Sequence, residues 1–168
     1  MSLDNGIRPG EAFQLLINDF HFTSMDVYIR PEVDKTNRGR TIPISIPTAK
    51  AIKQLIASRD ESWNENAPVF CTYEGKYLNR NIWGDRLESY SEKMDEHITP
   101  YSLRHCFAIQ YLRNGGDVLR LQKIMGHSDL AMTKIYCNIT NADIHEQHNE
   151  VSPIVNMIYP PRSRVTRI

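Results

Sequence analysis

The chain has 168 residues, which favours one domain with a single substantial core, or one domain and a tail, over a second full domain. Twenty basic and twenty acidic side chains cancel, which argues against a strongly basic surface overall, and no apolar run approaches the length of a bilayer span. The opening Met1-Ser2-Leu3-Asp4-Asn5 lacks the basic start and apolar stretch of a secretory signal, so a cytoplasmic location is expected.

In chain order, "NGIRPGEAFQLLI" has Pro9 where a first helical turn accepts it, followed by Ala12, Leu15 and Leu16 at helical spacing, which predicts a short helix. "VYIRPEVDKTNRGRTIPISI" alternates β-prone residues about Asn37-Arg38-Gly39 and predicts two antiparallel strands joined by a tight turn, with Lys35 close to it. Thr48 is a candidate cap for a helix over "AKAIKQLIA". "PVFCTYEGKYL" reads as a short strand pair about Glu74-Gly75, and "RNIWGDRLESYSEKM" returns to helical spacing.

From Thr99 the punctuation sharpens. Thr99-Pro100 makes an N-cap and first turn, and Gly115-Gly116 ends that helix. Asp117 caps a helix that closes at Gly126, Ser128 or Asp129 starts another through "LAMTKIYCNI", and Asn141 starts a last one that stops before Pro153. The fold class is therefore mixed, mainly α with a small antiparallel sheet (α+β). Residues 1–150 form the domain and residues 151–168 a tail with Arg162, Arg164 and Arg167 and no acid. Ile154, Val155, Met157 and Ile158 suit that tail to docking in cis or in trans. Cys71, Cys106 and Cys137, widely spaced and odd in number, read as packing residues.

The candidate chemistry begins with "TPYSLRHCFAI", in which Tyr101, Arg104 and His105 share one side of a helix whose other positions are apolar. An isolated pair of this kind is more often a snorkelling arginine beside a hydrogen-bonded histidine. "MGHSDLAMTKIY" places His127 just after a helix-ending glycine and Tyr136 nine residues later, and each alone is more often a capping or packing residue. The order of "GIRPGE", Lys35, "LRH" and "GHS…Y" changes this weighing. Together these motifs, over about residues 5–150, resemble the catalytic domain of the tyrosine recombinases, the phage integrase family.

That resemblance implies the family's catalytic-domain fold and DNA strand cleavage and rejoining through a 3′-phosphotyrosine, as in integration or excision of a mobile element. It implies Arg8 and Arg104 as phosphate-binding cations, Lys35 as the catalytic lysine, His127 as a phosphate ligand and Tyr136 as the nucleophile. Glu11 and His105 follow as supporting residues, the latter helping to hold Arg104. Two arginine forks match a phosphate's geometry, and a tyrosyl ester conserves bond energy, so neither metal nor nucleotide cofactor is required. Double-stranded DNA is the implied partner, bound by a homo-tetramer of the full-length protein.

Two departures stand out. Tyr101 occupies the position where the family most often has a histidine, which leaves the phenol proton to His127, water or the phosphate. Only seven residues, Met1 to Ile7, precede the first arginine where the family carries a helix and a DNA-clasping domain, so an N-terminally truncated, monomeric fragment of reduced activity is expected. Other readings explain less. A helix-turn-helix DNA-binding module over "DVLRLQKIMGHSDLAMTKIY" gives Arg8 and Lys35 no task, the four-motif pattern and its "GHS" segment look more like a recombinase than a type IB topoisomerase of similar chemistry, and a metal site on His145 and His148 lacks further ligands.

Overall fold

The computed structural model describes residues 1–137, His148 and residues 152–158. The chain divides into two compact units, Met1–Tyr136 and Cys137–Ile168. In the first unit, α1 (Ser2–Asn5) and α2 (Pro9–Ala12) flank Arg8. A 3₁₀ turn over Ile17–Asp19 then leads into a sheet of order β1 (Phe20–His21), β2 (Asp26–Ile29), β3 (Arg40–Pro43). Four helices follow: α3 (Ile46–Ala57), α4 (Arg80–Met94), α5 (Pro100–Arg113) and α6 (Val118–Met125), then a single turn, α7 (Ala131–Lys134). In the second unit the described residues include α8 (Pro153–Ile158), with Ile154, Met157 and Ile158 exposed. No helix among the described residues is long and apolar enough to cross a membrane.

The strands form as the alternation requires. Val27 and Ile29 of β2, and Ile42 of β3 with Ile44 just beyond it, point inward, while Tyr28, Thr41 and Pro43 face out. Antiparallel pairing sets Val27 opposite Ile42 and Ile29 opposite Arg40. Against the inner face lie Ile7, Leu15, and Ala49 and Ile52 of α3. Full burial of each large aliphatic is worth about 1.5–3 kcal/mol, so this core rather than the short hydrogen-bond ladders holds the sheet. A second cluster joins Phe107 and Ala108 of α5 to Leu121 and Met125 of α6, with Tyr136 packed on its edge.

Several expectations are corrected. The β2–β3 connection is no tight turn; it runs through residues 30–39, with a local turn at 34–37 closed by Asp34 and positive φ at Asn37 and Gly39. The cap of α3 is Ser45, whose hydroxyl accepts from Thr48 N–H, because Pro47 can occupy the first turn without a donor. Glu74-Gly75 sits in a turn closed by an isolated bridge, Cys71 to Tyr77, with no strand pair. The helix at Pro9 is one turn long, and Leu15 is buried beyond its end. The helix before Tyr136 is likewise one turn, with Asp129 Oδ1 accepting from Ala131 N–H at 2.9 Å. Cys71 and Cys137 are half-buried, but Cys106 is exposed. The helix expected from Asn141 lies outside the described residues except for His148, which is helical, and His145 of the metal-site reading also lies outside them.

The caps at Thr99 and Asp117 are as expected, and α6 ends where Gly126 adopts φ 63°. His127 N–H bonds Gln122 O and Gly126 N–H bonds Lys123 O, both at 3.1 Å, a Schellman closure. A Cβ at Gly126 would stand 2.8 Å from Arg40 Cζ. Gly115, at φ 82°, has nothing within 4 Å of such a Cβ. Gly115→Ala is therefore expected to cost about 1–2 kcal/mol for its left-handed backbone. Gly126→Ala should cost about 1–3 kcal/mol more in urea unfolding, because the Arg40 guanidinium must also move.

Candidate active site

The Schellman closure satisfies Gln122 O and Lys123 O but leaves the next three carbonyls of the chain, at the negative end of the α6 dipole, without backbone donors among the described residues. Each receives an arginine. Arg40 Nε donates to Ile124 O at 3.2 Å, Arg104 Nη2 to Met125 O at 2.8 Å, and Arg8 Nη2 to Gly126 O at 2.8 Å. Three cations from the loop before α2, the start of β3 and the middle of α5 thus converge on one helix terminus.

Two of them are neutralised. Glu11 is 3% exposed and accepts four hydrogen bonds: from Arg8 N–H at 3.1 Å, Arg8 Nη1 at 2.7 Å, and Arg40 Nη1 and Nη2 at 3.1 and 2.8 Å. That fills the capacity of a carboxylate. Asp34 adds an ion pair to Arg40 at 3.3 Å and a longer one to Arg8 at 3.8 Å. Burial opposes ionisation of Asp34, yet hydrogen bonds from Thr36 and the charges of Arg40 and Arg8 hold its carboxyl below the usual range.

Arg104 is different. It is 5% exposed, and its partners are neutral: Gly6 O, Met125 O and His127 Nε2, the last at 3.0 Å. Among the described residues it pairs directly with no carboxylate. Burial, then repulsion from Arg8, lowers its pKa to about 10, which leaves it cationic at neutral pH. Of the five charges in the cluster, three positive and two negative, the uncompensated one is therefore this buried guanidinium, and an anion is its natural complement.

His127 follows from the same geometry. Arginine only donates, so Nε2 carries the lone pair and Nδ1–H donates to Oγ1 of the fully buried Thr133, at 2.8 Å. Desolvation, then the charges of Arg104, Arg8 and Arg40, lowers its pKa to about 4. A neutral imidazole whose lone pair is already engaged by Arg104 is a weak proton acceptor in this arrangement.

Tyr136 stands two residues past α7, its ring edge-on to His105 at 4.9 Å with 64° between planes. His105 is exposed and bears on Tyr136; the partners that hold Arg104 come from elsewhere. Tyr101, Arg104, His105, Cys106 and Tyr136 border one open cleft of about 560 Å³. Tyr101 is 53% exposed, and the Arg80 guanidinium lies over its ring at 5.2 Å. Lys35 is exposed in the β2–β3 connection, one residue from Asp34.

The structure thus gathers Arg8, Glu11, Arg104 and His127 in one network, puts Tyr136, Tyr101 and His105 on the adjoining cleft, and keeps Lys35 on a loop tethered to the network. Arg40, Asp34 and Thr133 were missed from the sequence. Arg40 reads there as one more residue of an alternating strand, and nothing local marks a basic strand residue that bonds a helix far along the chain.

Residues 1–143 match the phage integrase family, and the chain belongs to that family. It is 33% identical over 153 residues to tyrosine recombinase XerD of Chlamydia trachomatis serovar D, covering 88% of this chain and 49% of that protein. The chain spans about half the length of the curated relatives it matches. Among solved structures, the XerA recombinase superposes with a TM-score of 0.73 at 25% identity, over 90% of this chain and 56% of the other. The Tn1549 transposon integrase, in complex with a circular intermediate DNA, shares the fold with a TM-score of 0.75 at 22% identity, over 89% and 56%. The mainly helical fold with its small antiparallel sheet is that of the tyrosine recombinase catalytic domain.

The His127 arrangement sets a pH dependence. In the unfolded chain the imidazole takes its proton near the ordinary 6.5, in the folded protein only near 4, so between these values the unfolded state binds more protons. The contribution of His127 to stability is full above pH 6.5 and is lost as the pH falls through that window to about 4. His127→Asn should flatten this part of the stability curve. An NMR titration should show the ring neutral at pH 6; a midpoint above that value would refute the assigned network.

Proposed function

We propose that this chain carries out site-specific cleavage and rejoining of double-stranded DNA, with Tyr136 as nucleophile. The observation that carries the reading is the buried, uncompensated Arg104 on the wall of the cleft that also holds Tyr136. The family membership supports the same activity, and the likeness to an integrase solved with DNA supports the choice of duplex.

A scissile phosphate would bring the missing negative charge to Arg104, with Arg8 beside it. Tyr136 Oη then attacks phosphorus in line; the Oη–P bond forms, the P–O5′ bond breaks, and the strand is held as a 3′-phosphotyrosyl ester. The phenol proton passes to solvent, and the leaving O5′ takes one from the Lys35 ammonium. Reversal by a free 5′-hydroxyl rejoins a strand, so no metal or nucleotide is consumed. The arginines, fixed beforehand by carbonyls that cannot follow the phosphate, stabilise the transition state without reorganising. Tyr101, across the cleft and stacked on Arg80, can donate a hydrogen bond to phosphate and tunes the rate. His105 braces the Tyr136 ring.

On this reading residues 1–150 are the catalytic domain and 151–168 a docking tail, and the whole protein works as a tetramer on DNA in the cytoplasm, in integration or excision of a mobile element. The role of α6 in holding all three arginines disfavours a purely DNA-binding helix-turn-helix over α6 and α7.

The test is a library of nicked duplexes with randomised sequence around the nick, which traps the cleaved state. The protein should form an SDS-resistant adduct with it, lost in Tyr136→Phe and kept in Tyr101→Phe. Adduct formation unaffected by Tyr136→Phe would overturn the reading. Arg104→Lys and Arg8→Lys should each slow the adduct by about 10²–10³, the usual cost of one transition-state donor.

A further inference from the structure

We propose that Arg40 is a positioning residue for Lys35: through Asp34 it locks the turn that presents the Lys35 ammonium to the leaving O5′. This rests on the reading of the site given above.

The turn at 34–37 is built around the Asp34 side chain. Oδ1 accepts from Thr36 N–H at 3.1 Å and Oδ2 from Thr36 Oγ1 at 2.9 Å, so one carboxylate pins the residues on both sides of Lys35. Backbone bonds complete it, Asp34 N–H to Arg30 O at 3.0 Å and Asn37 N–H to Asp34 O at 2.8 Å. Lys35 therefore projects into solvent from a rigid base. The Asp34 side chain is only 2% exposed, and the charges that compensate it are Arg40 at 3.3 Å and Arg8 at 3.8 Å.

Arg40 is the nearer and the more constrained of the two. Its guanidinium is held by both Glu11 oxygens and by Ile124 O, with its side chain 11% exposed. Glu11 in turn holds Arg8. Arg40 is thus the shared member of two pairs, one reaching the phosphate-binding arginine and one reaching the lysine turn. Without it Asp34 would be a buried carboxylate with Thr36 as hydrogen-bond donor and one distant cation, Arg8, a state relieved by swinging the turn toward water and Lys35 with it.

The two routes separate by chemistry. If Arg40 acts through Lys35, its loss removes proton delivery to O5′; if it acts only through Arg8 or the fold, its loss weakens phosphate binding or attack. A substrate with sulfur in place of the bridging O5′ loses a thiolate, which departs without a proton donor.

The experiment measures single-turnover adduct formation on the duplex recovered from the randomised library, made with 5′-oxygen and with 5′-sulfur. Arg40→Gln should slow the oxygen substrate about 10–100-fold more than it slows the sulfur substrate, a selectivity below the ~10²–10⁴ of a deleted general acid and in parallel with that of Lys35→Ala. Asp34→Asn should show the same selective rescue, and carries the test alone if Arg40→Gln does not fold. Equal slowing on both substrates in these variants would overturn the inference while leaving Tyr136 chemistry intact. Absence of any Tyr136-dependent adduct from the parent protein would overturn the site reading and this inference together.

Discussion

The end of α6 is the constraint on which the site depends. A helix that closes in a Schellman turn returns two of its last carbonyls to the backbone, and the remaining ones must find donors elsewhere. Here Ile124, Met125 and Gly126 find arginines from three separate parts of the chain. The same hydrogen bonds that finish the helix therefore aim the cations. Gly126 is needed twice, for its left-handed backbone and for the space that the Arg40 guanidinium occupies.

Charge accounting then gives each arginine a separate character. Glu11 and Asp34 neutralise Arg8 and Arg40, and among the described residues Arg104 is left with carbonyl and imidazole partners. Three guanidiniums packed without acids would repel one another strongly at low local dielectric; fully neutralised, they would offer an anion nothing. The observed balance retains one buried positive charge at the cleft. It also accounts in part for His127, which burial and then the same cations keep neutral and which Thr133 orients, so that its ring is fixed beside Arg104.

How much of this was legible follows from distance along the chain. Arg104 and Tyr136 could be picked out because their neighbours, the Thr99-Pro100 start and the Gly126-His127 junction, are local patterns that punctuate helices. Arg40 and Asp34 could not. Each belongs to a segment whose strand and turn signals fully account for it, and their significance comes from partners such as Ile124, 84 residues from Arg40. His105 shows the opposite error: its place beside Arg104 in the sequence suggested contact with it, but successive helical residues point about 100° apart, and the ring meets Tyr136 instead.

The sequence by itself determined the class of fold, the caps of α5 and α6 and the order of the motifs that carry the candidate site residues, because helix punctuation and motif spacing are short-range properties. Tertiary structure decided the length of the β2–β3 connection, the pairing of Arg40 with Glu11 and Asp34, the tautomer of His127, and which arginine keeps its charge unpaired. Those depend on which groups remain unsatisfied once the chain has folded, and a buried donor or acceptor takes whatever partner the packing brings to it, however distant in sequence.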